Sequence, residues 1–162
     1  MARYKTHDSR QVKLIPVSFA DQILPGTFAY ALYEIVDQHI DMRPFEARYK
    51  NDETGRLAYD PAILLKIVLF GYYKGMTSSR RLAEACERNV QFMALTADTQ
   101  PHFTTIADFV ASMHQEVAGV FRDVLIYADA LGLIGKDTFA IDGCKLASNA
   151  SKEWSGAGPM TS

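Results

Sequence analysis

Residues 60–88 read DPAILLKIVLFGYYKGMTSSRRLAEACER, and the organisation of the chain follows from this stretch. Asp60-Pro61 is an N-cap followed by proline at the first helical position, where its missing N–H costs nothing. Leu64, Leu65, Val68, Leu69 and Tyr72 then share one face at three- and four-residue spacing, until Gly75 stops the helix. Thr77 or Ser78 starts a second helix, Ser79–Arg88, with Leu82, Ala85 and Cys86 on its inward side. Asn89 caps a shorter third piece, Val90–Leu95. Helix, three-residue turn with glycine, helix is the spacing of a helix-turn-helix.

Working outward, helical periodicity continues on both sides. Upstream, Ser18 caps a short turn that ends at Pro25-Gly26, and Thr27 caps a segment Phe28–His39 with Phe28, Leu32, Ile35, Val36 and Ile40 at helical spacing. Residues Asp41–Tyr59, with Pro44, Gly55 and the charged run 50–53, read as a long connector. Downstream, Pro101 precedes a long helix opened by Thr104 or Thr105. Its stripe of Ile106, Phe109, Met113, Val117, Val120, Phe121, Val124, Ala128 and Leu131 runs to Gly132 and reads as a core face. The pattern then changes: Phe139 and Ile141 alternate in a short strand that ends at Asp142-Gly143. The tail from Ser155 is small and polar, the composition of a disordered end. The expected fold is mainly α.

Composition sets bounds on function. The chain has 162 residues, 48% hydrophobic and 22% charged, which suits about one globular domain. The longest apolar run is interrupted by Lys66 and is too short to span a bilayer, and the N-terminus lacks a secretory h-region. Two cysteines, Cys86 and Cys144, without a CxxC pair argue against a disulfide or zinc scaffold and for a reducing cytoplasm. The formal net charge is −2, but it is unevenly spread. Arg3, Lys5, Arg10 and Lys13 face one acid, Asp8, in a basic arm over residues 1–17; residues 98–142 are strongly acidic.

Two constellations carry chemistry. Ser78, Ser79, Arg80 and Arg81 begin the second helix of the central stretch, with Lys74 and Arg88 nearby. Backbone N–H groups, hydroxyls and guanidinium forks at a helix start hold phosphate oxygens. The competing reading is a solvated surface, because Glu84 stands four residues from both Arg80 and Arg88 and pairs with either. The second candidate is Asp142, a strand-end carboxylate of the kind that presents a divalent metal, or a plain turn residue. The four histidines have no metal or triad spacing, and no phosphate loop, nucleophile elbow or dinucleotide fingerprint occurs.

Six fragments in order, Tyr59–Lys66, Phe70-Gly71-Tyr72, Ser78–Leu82, Arg88-Asn89-Val90, Phe103–Phe109 and Ala140–Gly143, resemble the N-terminal portion of bacterial insertion-sequence transposases of the DDE class, from about Phe19 to about Gly156. The resemblance implies a helical DNA-contacting domain over residues 18–132, followed at 133–156 by the start of a ribonuclease H-like catalytic domain. It places Asp142 as the first of three metal-binding acids, holding magnesium (Mg2+) for in-line attack on a phosphodiester. DNA at the element's terminal inverted repeats is the implied partner, with a homo-oligomer or a mixed oligomer with intact transposase, and the cytoplasmic nucleoid the implied location. Residues 157–162 depart from the family pattern, as the product of a frameshifted or interrupted frame would, and the chain is expected to be truncated soon after Asp142. A non-catalytic DNA-binding or interfering module, or a pseudogene product without function, are the alternatives.

One carboxylate does not hold two divalent ions against their hydration. This chain alone is therefore expected to leave supercoiled DNA uncut and unjoined in magnesium or manganese. Turnover that disappears in Asp142→Ala would overturn this and imply a site assembled between chains.

Overall fold

The computed structural model describes residues 3–4, 8–49 and 58–134; Asp142, the expected strand at 138–142 and the tail lie outside the described residues. The described residues form a helical bundle without a strand: a short 3-10 turn at Ala20–Gln22, then α1 (Phe28–Glu34), α2 (Arg43–Glu46), α3 (Pro61–Tyr73), α4 (Ser79–Arg88), α5 (Val90–Thr96) and α6 (Phe103–Ala130). Among them, no helix is long and apolar enough to cross a membrane.

The caps form where local chemistry places them. The Thr27 hydroxyl accepts from the Tyr30 N–H, Asp60 Oδ1 from Ala62 N–H at 2.8 Å, and Asn89 Oδ1 from Gln91 N–H at 2.9 Å. Gly75 and Gly132 close α3 and α6 with φ of 78° and 69°. At each, the N–H beyond the glycine bonds a carbonyl five residues back, Met76 to Gly71 and Leu133 to Ala128, which is the Schellman closure. Three residues, Gly75, Met76 and Thr77, separate the C-cap Lys74 of α3 from the N-cap Ser78 of α4, as the spacing predicts.

Four features differ from the reading of periodicity. First, α3 does not bury one face: every residue from Leu64 to Tyr72 is buried, because α1, α4, α5 and α6 surround it. Second, the connector contains α2, whose Phe45 is 2% exposed and lies 5.9 Å from the Phe109 ring. A single turn carries too little periodicity to be seen, and tertiary burial forms it. Third, α6 starts before Thr104: His102 Nδ1 accepts the Thr104 N–H, so histidine fills the cap position. Fourth, Leu131 leaves the stripe and is 52% exposed, because it is the C-cap residue past the end of the helix at Ala130. The other stripe residues of α6 are buried. The helix bends at Met113 (φ −123°, ψ 23°), where the Ser112 hydroxyl donates back to the Asp108 carbonyl at 2.6 Å. Such back-bonding bends helices.

Burial of α3 from Leu64 to Tyr72 leaves one charge to accommodate. Lys66 Nζ lies 2.6 and 2.8 Å from the two carboxylate oxygens of Asp37, and 4.8 Å over the Tyr33 ring. Asp37 sits in a π-helical extension of α1, Ile35–His39, closed by the Ile40 N–H on the Ile35 carbonyl at 3.0 Å. Removing either partner leaves the other's charge unpaired, at greater cost for Lys66, whose side chain is 7% exposed, than for Asp37, whose side chain is 32% exposed and reaches water. Asp37→Ala is expected to destabilise by roughly 1–3 kcal/mol, the Asp37 edge being partly solvated. Lys66→Met should cost less, within about 1 kcal/mol. Urea denaturation of both variants checks the order; Lys66→Met being the more damaging would contradict it.

Candidate nucleic-acid interface

Leu82, Ala85 and Cys86 anchor α4 in the core, and this fixes which side of the helix faces water. Arg80, Arg81, Glu84, Glu87 and Arg88 are exposed. Gly71 makes the anchoring close: a Cβ there would stand 1.9 Å from Leu82 Cδ2, so a larger residue would displace the Leu82 side chain from its place against α3.

The start of α4 is chemically open. α1, α3, α5 and α6 each carry a capping side chain, but Ser78 makes no capping bond. The first bond of the helix is Leu82 N–H to the Ser78 carbonyl at 3.0 Å. The N–H groups of Ser79, Arg80 and Arg81 precede it and face outward with the positive end of the helix dipole. Both serine hydroxyls stand beside them, with the Arg81 guanidinium, which forms no ion pair with a described residue. Lys74 follows α3 next to this point, its Nζ 5.4 Å from the centre of the Phe70 ring.

The two arginines expected to share Glu84 behave differently. Arg88 pairs with Glu84 at 2.8 Å, both exposed, so for Arg88 the ion-pair reading is the one observed. Arg80 turns away from Glu84 and lies 3.9 Å over the Phe103 ring at the start of α6. Stacking uses the face of the guanidinium and leaves its N–H edges open to solvent. The six predicted side chains do not form one cluster: Ser78, Ser79, Arg80 and Arg81 belong to the start of α4, Lys74 to the end of α3, and Arg88 lies two turns away in a surface pair.

Sequence reasoning missed the opposite wall. α5 ends through two left-handed residues, Ala97 and Asp98, and the chain returns along Gln100 and Pro101 to His102 and Phe103. The His102 ring lies 4.3 Å from the Phe103 ring. A Pro-His-Phe run ahead of a helix is the local signal, but the contact with Arg80 spans 23 positions and leaves no trace in periodicity. Among the described residues, no group of three or more His, Cys, Asp or Glu side chains can hold a metal ion. The magnesium expectation rests on Asp142, which lies outside the described residues.

Residues 17–112 match the model of a family described as a transposase domain (DUF772). The chain belongs to this family. No curated protein and no solved structure matches it. The match covers α1 to α5 and the first third of α6, so the open start of α4 lies inside the family's transposase domain.

Behind α4, burial pushes the Cys86 thiol up to about 12, with the Glu87 carboxylate adding to the shift. It stays protonated and shielded across physiological pH and makes no nucleophile. In the Cys144→Ser background, Cys86 is expected to react with a thiol reagent at pH 8 only after denaturant is added. Full labelling within seconds of the native chain would show that α4 is not anchored as described.

Proposed function

We propose that this transposase-family chain contacts DNA through a helix-turn-helix formed by α3 and α4, with Ser78, Ser79, Arg80, Arg81 and Lys74 holding phosphate oxygens. The observation that carries the reading is the uncapped start of α4, where Ser78 makes no capping bond and Arg80 and Arg81 are exposed in the first turn. Such an end binds an anion through dipole, hydrogen bonds and charge together. Arg88 contributes least, because its guanidinium is engaged by Glu84. Phosphate contacts position a protein on DNA without reading sequence, so recognition of terminal inverted repeats requires further contacts to base edges.

The finer reading follows the family resemblance. The chain derives from a DDE-class transposase; Asp142 is the first acid of a ribonuclease H-like domain, and its metal is magnesium. Two such ions would polarise the attacking and leaving oxygens of a phosphodiester once all three acids are present. The helical bundle acts earlier, by docking the protein on the element end, alone or in an oligomer.

Binding governed by phosphate contacts falls with salt by a slope of about −0.9 per phosphate neutralised. The Arg80→Ala/Arg81→Ala variant is expected to bind duplex DNA more weakly and to flatten that slope by about two units. Fluorescence anisotropy from 50 to 200 mM salt measures both. Unchanged affinity and slope in a folded double variant would sink the assignment and direct attention to the basic arm at Arg3–Lys13. Arg88→Ala should change the slope far less.

A further inference from the structure

We infer that the cavity between α4 and the start of α6 receives one unpaired nucleobase beside the phosphate-holding end of α4. The inference rests on the proposed DNA contact and adds a second, chemically different contact to it. The cavity has a volume of about 390 Å³ and is lined by Tyr59, Arg80, Gln100, His102 and Phe103, together with the acids of α4. That volume falls near the lower end of the roughly 300–1,000 Å³ typical of small-ligand sites.

Its walls suit a flat, neutral, hydrogen-bonding group. The Arg80 guanidinium lies 3.9 Å over the Phe103 ring, with the His102 ring 4.3 Å from that ring, so a base entering the cavity meets a guanidinium plane already seated on an aromatic one. Tyr59 adds a second aromatic ring to the lining. Aromatic and guanidinium planes of this kind hold unstacked bases with little regard to sequence. The rim supplies both kinds of hydrogen-bonding edge: the Gln100 amide donates and accepts, and the Glu87 carboxylate accepts. Neither side chain is hydrogen-bonded to a described residue.

The acids decide against a phosphate inside. Glu84 and Glu87 both line the cavity with Arg80, and with Glu84 paired to Arg88 an anion placed there would still meet the Glu87 carboxylate. The phosphate therefore belongs outside, at Ser78–Arg81, and the base inside. Arg80 belongs to both, as a residue of the first turn of α4 and as part of the cavity lining seated on Phe103. A base in a closed duplex does not reach such a cavity without unstacking, so a single-stranded or frayed end is the form that fits.

The test uses the full chain and three DNAs: a blunt duplex, the same duplex with a two-nucleotide single-stranded extension, and the same extension made abasic. The extension with bases is expected to tighten binding roughly five- to tenfold over both others, the scale of one stacked base. A 2-aminopurine in the extension should lose fluorescence on binding the unmodified chain. Phe103→Leu, checked by its melting temperature, should abolish both effects. Binding of all three DNAs with equal affinity would overturn the pocket and leave the phosphate reading standing. An advantage equal with and without bases would assign it to extra phosphates and also overturn the pocket. An advantage kept in folded Phe103→Leu would place the base elsewhere. No binding to any of the three would overturn the pocket and the DNA reading together.

Discussion

The structure depends on a helix with no solvent-facing side. α3 is buried from Leu64 to Tyr72, and its one charge, Lys66, must be neutralised inside the bundle. A buried ammonium without a partner is more costly than any single apolar contact is favourable. The π-helical end of α1 delivers Asp37 to that ammonium, while Tyr33, one turn earlier, offers the face of its ring. An extra residue in a helical turn rotates the residues after it, and this is a common way to aim one side chain without breaking a helix. The pair thus sets how α1 lies on α3.

With α3 enclosed, the positions of its neighbours are set by contact with it. Gly71 lets Leu82 close onto α3, so α4 lies tightly against it with its polar side outward. Phe70 meets Phe92 of α5 at 4.9 Å, and Tyr72 meets Phe121 of α6 edge-on at 6.1 Å. These ring contacts hold α5 and α6 on other sides of the same helix. The start of α6 then stands beside α4, near enough for Arg80 to lie on Phe103. A surface built from separate stretches of chain is consequently held by one core.

Legibility divides along the range of the forces involved. Thr27, Asp60, Asn89, Gly75 and Gly132 were readable because a cap or a left-handed turn is decided by one residue and its immediate neighbours. The Phe103–Ala130 stripe was readable because period 3.6 persists over many turns. α2 was not, since four residues show no period and Phe45 is helical through what it touches. His102 was missed as a cap because hydroxyl residues stood at Thr104 and Thr105, and the preference for them is statistical, not exclusive. At the site, the Glu84–Arg88 pair was visible as an i,i+4 spacing. The Arg80–Phe103 stack was not, because nothing in either segment names the other. Lys66 is the intermediate case: an apolar run broken by lysine announces a conflict, but not that Asp37 resolves it.

The open start of α4 is informative because it breaks one of these local rules. A serine at the N-cap position normally returns its hydroxyl to the second or third N–H of the helix, a gain of about 1 kcal/mol. Ser78 has the extended backbone of a cap (φ −85°, ψ 126°) and does not use it. The cost is small if water covers the N–H groups, and it leaves them available to a stronger acceptor. Around them, charge is arranged asymmetrically: Arg80 and Arg81 stand at the helix start, Glu84 and Glu87 one to two turns later. The dipole alone would favour the reverse order, acids at the start and bases at the end. The arginines therefore stabilise α4 less than acids would in the same places. α2 also starts without a side-chain cap, but its N-cap Met42 has no oxygen to offer, whereas Ser78 has one and leaves it unused. A phosphate held as proposed would resolve both conflicts at once, by accepting from the N–H groups and by neutralising the arginines, so that binding would stabilise the helix end that does the binding.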